Sequence, residues 1–304
     1  MKKPNFFIVG APKSGTTALS EYLRSHPNIY MSTPKEPHFF ADDLPGYKKN
    51  FPTISSYLQL FKNVNSKHIA IGEASVYYLF SQVATKNIFK FNPEAKIIVM
   101  LRNPVDLVYS LHSQLLYSRN ENEKDFYRAW CLQRQRSQGK NIPKSCTDQK
   151  ILQYLRVGSL GQQVKRLIKD TGFRLDQIQF ILFDDFIKDT RKIYKQTLNF
   201  LDVPDDGRTT FLPVNENCYH RINFLSVFLV NPSPIFMKTV RTFKKFFRLK
   251  SEIGLTNKVL ELNTARYKRP PLSTFIRKEL GNAFKDDILL LSQMINRDLS
   301  NWLI

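Results

Sequence analysis

The order of apolar and polar segments predicts an α/β fold, with a central parallel β-sheet flanked by helices on both faces. Short runs of apolar, β-favouring residues recur along the chain, and amphipathic helical patterns separate them. A glycine-containing turn also joins the first apolar run directly to the first helical pattern. With 304 residues, 42% of them hydrophobic, the chain is long enough to bury the core that such a sheet needs.

The first strand, turn and helix occupy residues 6–23, which read FFIVGAPKSGTTALSEYL. Gly10 and Gly15 permit a sharp turn and a close approach to a ligand, and the free N–H groups of the first helical turn point toward that place. The helix dipole and the ammonium group of Lys13 add positive charge there. We expect the same anion to be bound by Ser14, Gly15, Thr16 and Thr17. A phosphate or sulfate group therefore fits this P-loop-like turn.

The turn departs from the ATP-binding pattern GxxxxGK[ST]. Gly10, Gly15 and Thr17 match it, but Thr16 stands where the pattern has lysine, and the basic residue is Lys13. This difference argues against a nucleotide triphosphatase. A nucleotide kinase or related phosphotransferase stays open as an alternative.

The other elements follow from the same periodicities. Four further strands are predicted at residues 28–32, 69–75, 96–102 and 178–183. Helices are predicted at residues 16–25, 78–91, 104–117, 151–169 and 184–201, and two more within 270–303, ending in an anchoring Trp302. The chain, residues 1–304, is predicted to be a single domain with an insertion at about 118–150 and a C-terminal helical part or lid at about 211–304.

A charged loop follows the second predicted strand. It reads TPKEPHFFADD, and its two prolines stiffen the backbone around Lys35 and Glu36. In an open parallel sheet, ligands bind at the carboxyl ends of the strands. We therefore expect these two charged side chains to lie at the ligand-binding edge.

A second anion site is predicted at the end of the strand 96–102. Arg102 ends this strand, and Ser110 stands about two turns into the helix that follows. A nucleotide with phosphoryl groups at both ends would span this site and the Lys13 turn. The alternative for Arg102 is a structural ion pair with Asp106 or with another acid on the helix side.

Composition leaves several partners open. The chain has 46 Lys and Arg against 26 Asp and Glu, a net charge of +20, which suits nucleic acid, an anionic membrane surface or a polyanionic small ligand. Residues 235–250 show a basic amphipathic pattern, which predicts either peripheral contact with an anionic membrane or a helix packed on its own domain.

Cys131, Cys146 and Cys218 are widely spaced, so neither a zinc site nor a disulfide framework is expected. We expect a cytoplasmic protein, because no signal peptide or spanning segment is recognisable.

Four segments carry a family resemblance: PKSGTT at residues 12–17, KEPHFF at 35–40, IIVMLRNPVDLVYS at 97–110 and NRDLSNW at 296–302. Together they resemble the sulfotransferases that use 3′-phosphoadenosine 5′-phosphosulfate (PAPS). KEPHFF is similar to the KExxFF segment of the heparan sulfate and related bacterial branch. The resemblance implies PAPS as co-substrate, adenosine 3′,5′-bisphosphate as product and no metal.

The resemblance also implies roles for particular residues. The first segment would hold the 5′-phosphosulfate, with Lys13 near the leaving oxygen, and Arg102 and Ser110 would bind the 3′-phosphate. Glu36 would be the general base that accepts the proton of the acceptor.

Three further residues are weaker candidates. His38 and His112 rank behind Glu36 for proton transfer, because a histidine among aromatic residues is more often packed and hydrogen-bonded. Arg221 falls about where the family has a basic loop over the nucleotide, and it is a candidate nucleotide contact. Ala74 stands where members acting on heparan sulfate have lysine, which argues against heparan sulfate as the acceptor.

The sequence therefore predicts a PAPS-dependent sulfotransferase that acts on a hydroxyl or amine of a glycan or small natural product, with no nucleic acid partner. The kinase alternative predicts Mg²⁺ dependence and stabilisation by ATP. A nucleic-acid or membrane-binding module is the third hypothesis, and it predicts salt-sensitive binding to DNA or anionic vesicles.

Overall fold

The computed structural model describes residues 2–47, 51–212, 214, 218–220, 264–266 and 269–303. The chain forms two compact units, which are Met1–Asn215 with Leu272–Ile304, and Glu216–Pro271. In the described part of the second unit, the strands Cys218–His220 and Thr264–Arg266 pair antiparallel. The basic segment 235–250 lies outside the described residues. A single domain with a C-terminal lid stays a prediction.

The first unit is built on a five-stranded sheet in the order β2-β3-β1-β4-β5. Its strands are β1 (Phe6–Gly10), β2 (Ile29–Met31), β3 (Ala70–Ala74), β4 (Lys96–Leu101) and β5 (Ile178–Leu182). Neighbouring strands are all parallel, so the carboxyl ends of all five strands lie at one edge. The predicted parallel sheet is confirmed, and every strand end lies within one residue of its predicted place.

Helices surround this sheet. The α-helices are α1 (Thr16–Arg24), α2 (Ile54–Leu58), α3 (Ala84–Phe91), α4 (Pro104–Tyr117), α5 (Phe126–Cys131), α6 (Gln133–Ser137), α7 (Tyr154–Gly158), α8 (Leu160–Asp170), α9 (Phe183–Lys188), α10 (Thr190–Phe200) and α11 (Thr274–Ile295). Short 3₁₀ helices occupy Gln59–Phe61, Gln149–Leu152, Leu175–Gln177 and Ser300–Trp302. Within the part of the chain that the structure describes, no helix has both the length and the apolar character needed to cross a membrane.

The two faces of the sheet pack into separate hydrophobic cores, because successive strand residues point to opposite faces. Phe7 and Ile97 belong to one core, together with apolar side chains of α4, α8 and α11. Phe6 and Ile98 belong to the other, together with apolar side chains of α1 and α10. Helices therefore cover both faces, as predicted.

The segment after β3 differs from the prediction. Helix α3 begins at Ala84, whereas the amphipathic pattern predicted a helix from residue 78. The N–H groups of Ser75 and Leu79 donate to the carbonyl oxygens of Ile8 (3.0 Å) and Val9 (2.7 Å). Residues 75–79 are therefore bonded to β1, and the helix begins only after them. The first half of the predicted helix is therefore wrong.

The predicted insertion at 118–150 contains helices α5 and α6, and a buried ion pair joins two residues within it. The Arg136 guanidinium donates to both carboxylate oxygens of Glu121 at 2.6 Å, and both side chains are fully buried. Tyr154 Oη donates to the same carboxylate at 2.8 Å. Burial would raise the pKa of Glu121, but these hydrogen bonds outweigh it and lower the pKa.

Two other predicted helices are divided differently. The helix predicted at 184–201 breaks at Asp189, whose carboxylate accepts the Lys192 N–H (2.9 Å) and caps α10. The segment 270–303 forms one long helix, α11, and a 3₁₀ helix rather than two α-helices. Trp302 is buried as predicted, and its Nε1 donates to Asp184 Oδ2 at 3.0 Å.

Candidate active site

The turn between β1 and α1 is tightly constrained at the carboxyl edge of the sheet. Gly10 has a φ of 144°, and a Cβ there would lie 2.6 Å from the carbonyl oxygen of Val76. Gly15 has a φ of 86° and precedes α1, and its Cβ would lie 3.1 Å from the Phe183 ring. Both positions therefore require glycine. The first N–H groups of α1 have no partner within the helix, and this leaves them for an anion.

The hydroxyl residues of the turn surround its helical end. Ser14 and Thr16 are buried, and Thr17 is half-buried. Thr17 Oγ1 accepts a hydrogen bond from Lys35 Nζ at 3.1 Å, so the charged loop after β2 reaches the start of α1.

Lys13 and Arg102 meet at the turn. The Arg102 Nη1 donates to the carbonyl oxygen of Lys13 at 2.8 Å, and its guanidinium stacks 4.6 Å from the centroid of the Phe183 ring. The Lys13 Nζ donates to Gln114 Oε1 on α4 at 3.4 Å. The two predicted anion sites are thus joined by a direct hydrogen bond.

The structure does not show the alternative role for Arg102, which is a structural ion pair with a nearby acid. Asp106 accepts a hydrogen bond from Arg277 Nη2 on α11 at 2.7 Å, and it forms no ion pair with Arg102. Ser110 is half-buried on α4, further along the same helix. The guanidinium of Arg102 therefore has no carboxylate partner within ion-pair distance among the described residues.

A basic side chain approaches each carboxylate oxygen of Glu36. Lys35 Nζ donates to Glu36 Oε1 at 2.7 Å, and His38 Nε2 lies 3.4 Å from Glu36 Oε2. The Glu36 N–H donates to the carbonyl oxygen of Ala74, the last residue of β3, at 3.0 Å. Because Lys35 also donates to Thr17, one ammonium group connects the candidate base with the candidate anion site.

These neighbours set the charge state of Glu36. Burial would raise the pKa of its carboxyl, but the close approach of His38 and of the Lys35 ammonium group outweighs burial and lowers the pKa to about 2. Its side chain nevertheless keeps 35% of its surface exposed. The carboxylate is therefore ionised at neutral pH and open to a ligand.

His38 lies in an aromatic pocket beside Glu36. Its side chain is almost fully buried, and its ring centroid lies 5.1 Å from that of Tyr47, 5.7 Å from Tyr77 and 6.1 Å from Tyr78. Apart from the 3.4 Å approach of Nε2 to Glu36, the two ring nitrogens have no hydrogen-bond partner in the described residues. This leaves His38 able to bond to a group that enters beside Glu36.

His112 lies elsewhere. It is fully buried on α4, its Nε2 hydrogen bonds with the carbonyl oxygen of Glu123 at 2.8 Å, and its ring packs against Phe126 and Tyr154. These contacts are those of a structural side chain in the core. Arg221, the candidate nucleotide contact, lies outside the described residues.

Two residues at the site were not assigned a role from the sequence. Lys35 joins Thr17 to Glu36, and Gln114 bonds the ammonium group of Lys13. The adjacent Lys and Glu in KEPHFF were a usable signal for the first, whereas Gln114 is remote from Lys13 in sequence and carries no local signal. No group of three metal-ligating side chains occurs in the described ranges, and metal-independent transfer stays a prediction.

Comparison with known proteins identifies the fold family. A family model described as a sulfotransferase domain matches residues 3–221, more than two thirds of the chain. A solved sulfotransferase from Alicyclobacillus acidocaldarius superposes with a TM-score of 0.71 and 28% identity, covering 99% of both chains.

Curated relatives match over shorter stretches. Carbohydrate sulfotransferase 15 of Rattus norvegicus is 32% identical in a 167-residue alignment that covers 41% of this chain and 29% of that protein. Heparan sulfate glucosamine 3-O-sulfotransferase 5 of Homo sapiens is 29% identical in a 131-residue alignment that covers 41% of this chain and 34% of that protein. The chain thus matches about a third of the length of these relatives. On the family match and the superposition, the chain belongs to the sulfotransferase family.

Proposed function

We propose that the protein transfers the sulfuryl group of PAPS to a hydroxyl or amine of a carbohydrate or small natural product. The observation that carries the proposal is the bridge made by Lys35, which donates to Thr17 at 3.1 Å and to Glu36 at 2.7 Å. A candidate base and a candidate anion site are therefore held side by side at the carboxyl edge of the sheet. Transfer from an activated sulfate donor needs this adjacency.

The residues fit both ends of the donor. The turn of Lys13, Ser14, Gly15, Thr16 and Thr17 offers N–H and hydroxyl donors and an ammonium group to the 5′-phosphosulfate. Arg102 and Ser110 would bind the 3′-phosphate, and the guanidinium suits that role because no carboxylate neutralises it at ion-pair distance among the described residues. PAPS and its bisphosphate product thus match the charge pattern of the site.

The reaction follows from this arrangement. The acceptor oxygen or nitrogen forms a bond to sulfur, and the bond between sulfur and the bridging phosphate oxygen breaks, with its electron pair leaving on adenosine 3′,5′-bisphosphate. Glu36 takes the proton of the acceptor, and Lys13 with the α1 amides offsets the charge that develops on the bridging oxygen. Because the pKa of Glu36 is about 2, its carboxylate accepts a hydrogen bond from the acceptor first. It takes the proton only as the new bond to sulfur makes that proton acidic.

The acceptor class is proposed from the relatives and from the residues near Glu36. The relatives are named for carbohydrate and heparan sulfate acceptors. Ala74 replaces the lysine expected for heparan sulfate, and the rings of Tyr47 and Tyr77 pack around His38 beside Glu36. We therefore favour a carbohydrate other than heparan sulfate.

The test is turnover with PAPS. The protein, PAPS and a panel of neutral glycans, uronate-containing glycans and small alcohols or amines are incubated with EDTA, and sulfated product and adenosine 3′,5′-bisphosphate are measured by mass spectrometry. Product from one acceptor class supports the proposal. Phosphorylated product that forms only with ATP and Mg²⁺ would instead support the phosphotransferase hypothesis.

Glu36→Gln tests the base in the same assay. It removes the proton acceptor at nearly constant size, so we expect kcat to fall by about 10²- to 10⁴-fold, with little change in KM for PAPS. Glu94→Gln, at an exposed position away from the site, is the matched control and should keep full activity. Normal turnover by Glu36→Gln would contradict the assignment of the base.

A further inference from the structure

A buried carboxyl group, Glu73, stands one residue before the end of β3 and is linked by hydrogen bonds to the loop KEPHFF (residues 35–40). Its side chain is fully buried, and three hydroxyl groups donate to it. Ser75 Oγ donates to Oε1 at 2.6 Å, and Tyr57 Oη and Tyr78 Oη donate to Oε2 at 2.6 and 3.2 Å. The mechanism described above makes no use of this group.

Two of these hydroxyls also hold the KEPHFF loop. The His38 N–H donates to Ser75 Oγ at 3.1 Å, and the Phe40 N–H donates to Tyr78 Oη at 3.3 Å. Two chains of hydrogen bonds thus run from one carboxylate to two backbone N–H groups that lie two residues apart. Tyr57, in contrast, bonds Glu73 without reaching the loop through its hydroxyl.

The chemistry of a carboxylate gives these chains one direction. A carboxylate has no proton to donate, so Ser75 and Tyr78 each direct their one O–H bond to Glu73. Only lone pairs are then left on both hydroxyl oxygens, and lone pairs are what the N–H groups of His38 and Phe40 require. An amide at position 73 would present one N–H₂ group and would oppose this direction for at least one chain.

We propose that Glu73 is a positioning residue for the transfer reaction, because it orients the two hydroxyls that fix the KEPHFF loop and so sets the place of His38 and Glu36. The inference rests on the proposed function only in taking Glu36 and His38 as the groups that face the acceptor. It assigns Glu73 no contact with either substrate.

The backbone of the loop shows why such fixing is needed. Glu36 and His38 have φ values of 62° and 50°, in the left-handed region that residues with a Cβ rarely adopt. Such conformations persist only where surrounding contacts over-determine them. The two chains from Glu73 supply contacts at His38 and Phe40, and the bond from the Glu36 N–H to Ala74 supplies another.

A purely structural role for Glu73 in the core explains less. Burial raises the pKa of its carboxyl, and the hydroxyl donors act in the opposite direction. A carboxyl group in an aromatic core is unfavourable compared with an apolar side chain of similar size. The fixed direction of its hydrogen bonds gives a reason for a carboxyl group at position 73. Two of the three hydroxyls that bond it pass that direction on to the KEPHFF loop.

The test compares four variants. Glu73→Gln reverses one hydrogen bond, Ser75→Ala removes the partner of the His38 N–H, and Tyr78→Phe removes that of the Phe40 N–H. Tyr57→Phe is the matched control, because it removes a hydroxyl that bonds Glu73 but not the loop, and it keeps the ring that stacks on Phe39. We expect kcat to fall about 10- to 100-fold in the first three and less than 3-fold in the control. The affinity for adenosine 3′,5′-bisphosphate and the KM for PAPS should stay within about 3-fold throughout, because the turn at Lys13 is untouched.

Hydrogen exchange provides a readout that needs no turnover. Exchange of the His38 and Phe40 amides should accelerate at least 10-fold in Glu73→Gln, while amides of β4 keep their rates. If the wild type transferred no sulfuryl group, the proposed function would fail and exchange alone would decide the role of Glu73. If Glu73→Gln does not fold, Ser75→Ala and Tyr78→Phe test each chain separately.

The proposal is overturned if folded Glu73→Gln, or both single-chain variants in its place, keep the wild-type kcat or the wild-type exchange of these amides. It is equally overturned if kcat and bisphosphate affinity fall together by the same factor, because that result would show general damage to the fold.

Discussion

At the scale of single residues, three site residues share an unusual backbone conformation. Lys13, Glu36 and His38 have φ values of 61°, 62° and 50°. Each such residue costs roughly 1–3 kcal/mol unless its surroundings stabilise it, and such residues cluster at functional sites. Here hydrogen bonds to neighbouring elements stabilise these residues. Arg102 donates to the Lys13 carbonyl oxygen, the Glu36 N–H donates to the Ala74 carbonyl oxygen, and the His38 N–H donates to Ser75 Oγ.

The charge on Lys13 leads to a prediction about rate. Lys13→Ala removes a cation from the turn that would stabilise charge developing on the bridging oxygen, so we expect kcat to fall by at least about 100-fold. The measurement is steady-state release of adenosine 3′,5′-bisphosphate. Lys188→Ala, an exposed lysine on α9, should turn over normally. Lys13→Ala with wild-type kcat would remove Lys13 from the mechanism.

The charge on Lys35 leads to a prediction about pH. Glu36 must be ionised to act as a base. Because its pKa is about 2, protonation of Glu36 should not lower kcat above about pH 4. Lys35→Ala removes one donor and one positive charge while burial, which raises the pKa, remains. The acidic fall in kcat should therefore move to higher pH.

The measurement is kcat between pH 4 and 8 for the wild type, Lys35→Ala and Lys35→Arg. The arginine variant keeps the positive charge, so its kcat, like that of the wild type, should show no acidic fall over this range. His38 and Tyr77 also face Glu36 and are unchanged in every variant. A kcat that stays level between pH 4 and 8 in Lys35→Ala would show that Lys35 does not control the protonation of Glu36 in this range.

At the scale of elements, long-range hydrogen bonds connect segments that are far apart in the chain. Asp287 on α11 accepts the N–H groups of Gly161 (2.7 Å) and Gln162 (2.9 Å) at the first turn of α8. A Cβ on Gly161 would lie 2.3 Å from the carbonyl oxygen of Asp287, so the two helices pack with almost no space between them. One helix therefore caps another.

This cap predicts a loss of stability. Asp287→Ala leaves two N–H groups at the start of α8 without their acceptor, which should lower the free energy of unfolding by about 1–3 kcal/mol. Urea denaturation followed by circular dichroism measures it. Asp286→Ala, the exposed neighbour on the same helix, should change stability by less than about 0.5 kcal/mol. Equal stability of the two variants would refute the capping role.

Local sequence patterns predicted an element well where the burial of its own side chains decides its structure. They predicted it poorly where hydrogen bonds to a distant segment decide it. The run KIIVML became β4 because its side chains are buried on both faces of the sheet. The pattern from residue 78 looked helical, yet the N–H groups of Ser75 and Leu79 bond to β1, and the helix starts only at Ala84. Periodicity cannot report a hydrogen bond to a strand some 70 residues earlier.

At the scale of the whole molecule, the sheet edge and the net charge act together. The turn after β1, the KEPHFF loop after β2 and Arg102 after β4 all follow carboxyl ends of parallel strands. The chain also carries a net charge of +20, which raises the local concentration of an anionic nucleotide. A bisphosphate should therefore bind the intact protein with a measurable dependence on salt.

Thermal unfolding tests this expectation. Adenosine 3′,5′-bisphosphate at about 100 times its Kd should stabilise the protein by about 2.7 kcal/mol and raise Tm by several degrees. Adenosine 5′-monophosphate, which lacks the 3′-phosphate, is the matched control and should give a smaller shift. The difference should shrink in Arg102→Ala and at high salt, because the 3′-phosphate contact is ionic. A larger shift with ATP and Mg²⁺ than with the bisphosphate would contradict the proposed donor.

The sequence by itself determined the parallel sheet, the helices on both faces, the glycine-containing turn after β1 and the family resemblance. These properties depend on local periodicity and on residues that stand side by side in the chain, such as Gly10, Lys13 and Gly15. Only the tertiary structure decided the environment of the candidate base. Lys35 reaches Thr17, Arg102 reaches Lys13, and Glu73 reaches His38 through Ser75. Each of these contacts joins residues that are separated in the sequence and meet only because parallel strands bring their carboxyl ends to one edge.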